Sequence, residues 1–173
     1  MANTLMNNQL RALIVEDSRF DAEFISRALR EVGFELTDSL IVDDPIRYEK
    51  ALTEKSWDIV ISDYVMPSFN GTEALELFKR HKLDIPFICV SGGIGEEKAA
   101  EVVRAGANNY VSKSHLARLG SVVRSEIAAA VERRSNRKVA ELAAHLAAIV
   151  EGTDDAICSR DMEIGRASCR ERV

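Results

Sequence analysis

No apolar run in the chain approaches the roughly 20 residues that cross a bilayer. The opening stretch, Met1–Gln9, has neither the basic nor the apolar segment of a secretory signal. Three cysteines, Cys89, Cys158 and Cys169, make no metal-type pair and no disulfide framework. Basic residues are in deficit: 23 Lys and Arg stand against 28 Asp and Glu, which argues against a nucleic-acid surface. These absences lead us to expect a cytoplasmic protein with no membrane segment and no nucleic-acid partner. What is present is an ordinary globular balance over 173 residues, 46% hydrophobic and 29% charged. That length suggests one domain of about 100–150 residues with a remainder.

From Arg11 to about Leu119, short apolar runs alternate with amphipathic segments. Ala12–Val15, Asp58–Ser62 and Phe87–Ser91 are nearly continuous apolar runs, as expected of strands buried on both faces of a parallel sheet. Leu36–Val42 and Asn109–Ser112 read as two further strands. Between them, helices are predicted after Ser18 as far as Gly33, over Ile46–Glu54 behind Pro45, over Thr72–Arg80 and over Glu96–Ala105. Five β–α repeats imply an α/β fold, a doubly wound five-stranded parallel sheet of flavodoxin-like type. From Ser121 to about Val150 there is no Pro or Gly, so a long C-terminal helix is expected. On it Val139, Leu142, Leu146 and Ile149 follow 3-4-3 spacing, the seam of a coiled-coil homodimer or, alternatively, a face packed on its own domain.

Ligands of such sheets sit outside the carboxyl ends of the strands. Four polar features fall there: Glu16 and Asp17, Asp63, Ser91 and Lys113. Three carboxylates brought together repel unless a cation joins them. Hard oxygen ligands with room for water suit Mg²⁺, and a Lys and a hydroxyl nearby supply donors for phosphoryl oxygens. A carboxylate beside such a cation is a competent nucleophile toward phosphorus.

These residues resemble the receiver domain of two-component response regulators over about Gln9–Leu119. The resemblance rests on Leu13-Ile14-Val15-Glu16-Asp17-Ser18, on Ile61-Ser62-Asp63-Tyr64-Val65-Met66-Pro67 with Gly71, on Ser91, on Ala105-Gly106-Ala107, and on Tyr110-Val111-Ser112-Lys113. It implies phosphoryl transfer onto Asp63 from a histidine kinase or histidine phosphotransfer protein. It implies Mg²⁺ held by Asp17, Asp63, the Val65 carbonyl and Glu16, with Ser91 and Lys113 on the phosphoryl group and Tyr110 as a switch aromatic. Two departures stand out: Ser114 replaces the Pro that usually follows the Lys, and Gly92-Gly93-Ile94-Gly95 is unusually glycine-rich. A Mg²⁺-dependent phosphohydrolase with an Asp nucleophile is the alternative, but such enzymes usually carry a second Asp where Val65 stands.

The remainder divides further. After a flexible 1–8 and a receiver over 9–120, we expect a helical signalling linker over 121–150. Ile149-Val150, Thr153–Ile157 and Asp161 resemble the opening of a PAS sensory domain, here a truncated start over 151–162. One codon choice for Glu163–Val173, read from its second base, resembles a common short-read sequencing adapter. That tail is expected to be a read-through artefact, the alternative being a disordered basic tail, and the native protein is expected to continue past Met162. Without it the chain has 20 basic and 26 acidic residues.

Overall fold

A computed structural model describes residues 8–67, 69–93 and 95–168, with Glu96 and 150–168 described as backbone. Contacts divide the chain into two units, Met1–Glu132 and Arg133–Val173. In the first, the five strands β1 (Gln9–Val15), β2 (Glu35–Val42), β3 (Ile59–Asp63), β4 (Phe87–Ser91) and β5 (Asn109–Ser112) alternate with helices. All pairings are parallel, in the order β2-β1-β3-β4-β5. This is the doubly wound sheet expected from the sequence. The order reverses between β1 and β3, where such folds open a crevice.

The helices begin where the caps dictate. Ser18 accepts the Asp21 N–H to start α1 (Arg19–Glu31), and Gly33 ends it at φ +90°. Asp44 caps α2 (Pro45–Glu54), whose first residue is the proline. Asn70 and Glu73 form a reciprocal capping box at α3 (Gly71–Arg80). The fourth helix, α4 (Glu96–Arg104), follows the glycine-rich loop.

Side chains alternate across the sheet and make two cores. Leu13, Val15, Val60, Phe87 and Cys89 face α2, α3 and α4, meeting Tyr48, Leu52, Leu75, Phe78 and Val102. Ala12, Ile14, Ile61, Ile88 and Val90 face α1 and the start of the last helix, meeting Ile25, Leu29, Leu119, Val123 and Ile127. Cys89 is a buried hydrophobe, and burial pushes its thiol up to about 12. The only tryptophan, Trp57, is buried, and its indole N–H donates to the Ala51 carbonyl near the end of α2 at 2.8 Å.

Element boundaries moved slightly. The third strand starts at Ile59, because Asp58 is engaged by Arg11: its carboxylate accepts from the Arg11 backbone and guanidinium at 2.8–3.1 Å. After β5 the chain makes a 3-10 turn over Lys113–Arg118, and with Ser114 in place of a proline the peptide bonds there are trans. The last helix, α5, runs Leu119–Ser168, longer at both ends than the expected 121–150. Its backbone is therefore helical through 151–162, the stretch likened to a PAS opening. Residues 1–7 of the expected flexible start, and Cys169–Val173 of the tail, lie outside the described residues. Within the second unit Val139, Leu142, Leu146 and Ile149 are more than half exposed. No helix among the described residues is long and apolar enough to cross a membrane.

Candidate functional site

The two strands flanking the switch point carry the acidic residues. Glu16 and Asp17 follow β1, and Asp63 ends β3. One carboxylate oxygen from each of the three lies within 4.8 Å of the others. Glu16 and Asp63 are buried, whereas Asp17 is exposed at the mouth. Glu16 is fixed by its own loop: its N–H donates to the Val42 carbonyl at 2.9 Å, and its Oε1 accepts the Ser18 N–H at 3.1 Å. Asp63 Oδ1 accepts the Val65 N–H at 3.2 Å.

The loop after β3 is held by close backbone approach. The Gly71 N–H donates to the Tyr64 carbonyl at 3.1 Å, and a Cβ on Gly71 would stand 2.7 Å from the Asp63 carbonyl oxygen. Only glycine fits there, which is the physical content of Gly71 in the motif.

Lys113, just past β5, reaches back over this cluster. Its ammonium donates to Asp63 Oδ2 at 2.7 Å, donates to Asp21 Oδ2, and pairs with Glu16 Oε2 at 2.9 Å. Burial works to lower the Lys113 pKa, but the Asp21, Asp63 and Glu16 carboxylates outweigh it and hold the ammonium above the ordinary lysine range. Burial pushes the Glu16 carboxyl up to about 7 against the pull of Lys113, and the Asp63 charge adds to the rise. Ser91, at the end of β4, is fully buried, and its hydroxyl finds no hydrogen-bond partner among the described residues.

Glu16, Asp17, Asp63 and Lys113 are thus brought together as the sequence spacing suggested, with Ser91 at the carboxyl end of the adjoining strand. Val65 contributes its N–H to Asp63, while its side chain is 64% exposed. Tyr110 is half-buried against the core on the α2–α4 side, and burial raises its phenol pKa. Asp21 is the residue that sequence reasoning missed. Its signal was present but ambiguous, since an acid in the first turn of a helix ordinarily reads as a complement to the helix dipole.

A 2-1-3-4-5 parallel sheet with a carboxylate cluster and a lysine at its switch point defines a flavodoxin-like α/β protein with an acidic crevice. The model of the response regulator receiver domain matches residues 12–124, and the chain belongs to that family. It is similar to chemotaxis protein CheY-3 of Vibrio cholerae serotype O1, with 26% identity over 114 residues, covering 63% of this chain and 84% of that protein. Response regulator SaeR of Staphylococcus aureus is 30% identical over 101 residues, 58% of this chain and 42% of its own. Among solved structures, full-length FixJ from B. japonicum aligns with a TM-score of 0.64 at 24% identity, over 76% of this chain and 64% of that one. The receiver domain of sensor histidine kinase PA1611 from Pseudomonas aeruginosa PAO1 aligns with a TM-score of 0.58 at 21% identity, over 69% and 98%. That structure has a magnesium ion coordinated in its active site cleft.

Proposed function

We propose that this chain is the phosphoacceptor module of a two-component phosphorelay, taking a phosphoryl group onto Asp63. The observation that carries the reading is the convergence of Glu16, Asp17 and Lys113 on the buried Asp63 carboxylate. The donor set fits Mg²⁺: three hard oxygens, one exposed to water, and a buried Ser91 hydroxyl still lacking a partner. Glu16, Asp17, Asp63 and the Val65 carbonyl would hold the ion, which supplies charge neutralisation when bound. The magnesium in the PA1611 receiver domain supports that assignment.

In the transfer, an Asp63 carboxylate oxygen attacks phosphorus on the donor imidazole. The O–P bond forms as the N–P bond breaks, and its electron pair leaves with the ring nitrogen. Ser91 donates its hydroxyl to a phosphoryl oxygen, and Lys113 redirects its ammonium to another. Tyr110 then repacks with the displaced Ser91. The donor is a histidine kinase or a histidine phosphotransfer protein, and the setting is the cytoplasm. The signal passes from the receiver, 9–120, through the helix, 121–150, whose apolar stripe pairs with a second copy. Residues 151–162 resemble the opening of a PAS region, and 163–173 resemble translated adapter sequence. Incubation with acetyl phosphate and Mg²⁺, followed by intact-mass measurement, tests the reading. One added phosphoryl group is expected, and none on Asp63→Asn; addition that survives the substitution would overturn it.

A further inference from the structure

Three carboxylates contact the Lys113 ammonium, those of Glu16, Asp21 and Asp63, and one of them stands apart. Glu16, Asp17 and Asp63 form the cation-sized cluster. Asp21 lies outside it, on the first turn of α1, yet it accepts a hydrogen bond from the same ammonium as Asp63. We infer that Asp21 is a positioning residue for phosphoryl transfer, anchoring the Lys113 ammonium beside Asp63 when a divalent cation occupies the carboxylate cluster. The inference rests on the function proposed above.

An ammonium has three N–H groups; in this structure it donates to Asp21 and Asp63 and pairs with Glu16 Oε2 at 2.9 Å. Glu16 and Asp63 oxygens engaged by a divalent cation would turn from the ammonium, which the added positive charge would also repel, strongly so in a partly desolvated crevice. Two of the three partners of Lys113 are therefore weakened by the event that prepares the site for phosphate. Asp21 is the partner left over. Its backbone N–H is tied to Ser18 Oγ at 3.3 Å, it sits at a helix N-terminus that favours an anion, and its side chain is 37% exposed. It can keep hold of one N–H while the other two turn to phosphoryl oxygens.

A plain charge effect predicts the opposite sign. If Asp21 acted only as one more negative group, its removal would ease the approach of an anionic donor and speed the reaction. The test therefore measures the rate of phosphorylation by acetyl phosphate at saturating Mg²⁺ for the parent chain, Asp21→Asn, Asp21→Glu, Lys113→Ala, and Asp21→Asn combined with Lys113→Ala. Asp21→Asn is expected to be about tenfold slower, the usual cost of removing a partner that orients a site residue. Asp21→Glu should recover most of the rate. The double variant should be no slower than Lys113→Ala, because Asp21 acts through that lysine. In parallel, the Lys113 amine resonance is followed by NMR with and without Mg²⁺, and only in Asp21→Asn should Mg²⁺ displace it strongly. A rate unchanged or raised in Asp21→Asn, or a further loss in the double variant, would overturn the inference. If the parent accepts no phosphate, the phosphoacceptor reading falls instead. The resonance then decides Asp21 alone, and a Lys113 signal that ignores the substitution refutes its role.

Discussion

Asn109 hydrogen-bonds Glu126 across the interface of β5 and α5, its Nδ2 donating to Oε1 at 3.0 Å. The same side chain accepts the backbone N–H of Tyr110 through Oδ1 at 2.9 Å. One amide thus ties the strand carrying Tyr110 to the helix that continues into the second unit. Asn109→Ala removes both bonds from a half-buried setting, and a loss of about 1 kcal/mol in unfolding free energy is expected from urea titration. A variant as stable as the parent would mean that water replaces the amide at no cost.

Glu16 makes stability depend on pH in a definite direction. Its folded pKa, about 7, lies above the ordinary 4.5, so the folded chain binds the extra proton between those values. Stability should therefore fall as pH rises from about 4.5 to about 7, and the penalty is complete above that. Thermal midpoints taken without divalent cations should show this decline in the parent, and a flatter profile in Glu16→Gln. Parallel profiles would assign the dependence to other groups.

Gly71→Ala places a methyl carbon 2.7 Å from the Asp63 carbonyl oxygen and 2.8 Å from Tyr64 Cα. Both obstacles are backbone, so the loop after β3 has to move. A cost of about 1–3 kcal/mol in denaturant unfolding is expected, as for other overpacked sites. Phosphorylation of Asp63 should slow with it, because Asp63 and the loop shift together.

Phosphoryl lifetime should be long. Val65, two residues past Asp63, presents an exposed apolar side chain where a polar group would orient an attacking water. Val65→Asn is expected to shorten the phosphorylated state about tenfold, at the low end of what positioned polar groups contribute. Following loss of the added phosphoryl mass with time measures it, and equal rapid loss from both chains would contradict the explanation.

The stripe formed by Val139, Leu142, Leu146 and Ile149 should make the chain self-associate. Leu142→Lys buries a charge in such a seam. Sedimentation of the parent is expected to give a dimer at micromolar concentration, and the variant a monomer. A monomeric parent would remove the stripe from the dimerisation argument.

The sheet was legible because β1, β3 and β4 are buried on both faces, and short continuous apolar runs such as Ile59–Ile61, set between amphipathic helical segments, read as strands of a parallel sheet. Three of the site carboxylates were legible because topology alone brings the ends of β1 and β3 together. Asp21 was not, since a bond to Lys113 spans 92 positions and arises where α1 meets the turn after β5. The end of α5 was misjudged for a different reason. Gly152 reads as a stop, yet one glycine costs a helix only about 1 kcal/mol, and no proline follows as far as Ser168.

The buried indole of Trp57 has a practical consequence. It lies wholly within the first unit, and Arg133–Val173 contains no Trp, Tyr or Phe. Intrinsic emission therefore reports the melting of the sheet and its covering helices, and is blind to the second unit. Far-ultraviolet dichroism, dominated by helix, registers both. Monitoring one denaturation by the two signals would separate a cooperative molecule from one in which the long helix frays first. Coincident curves mean shared cooperativity; an early dichroic loss at constant emission means independent units.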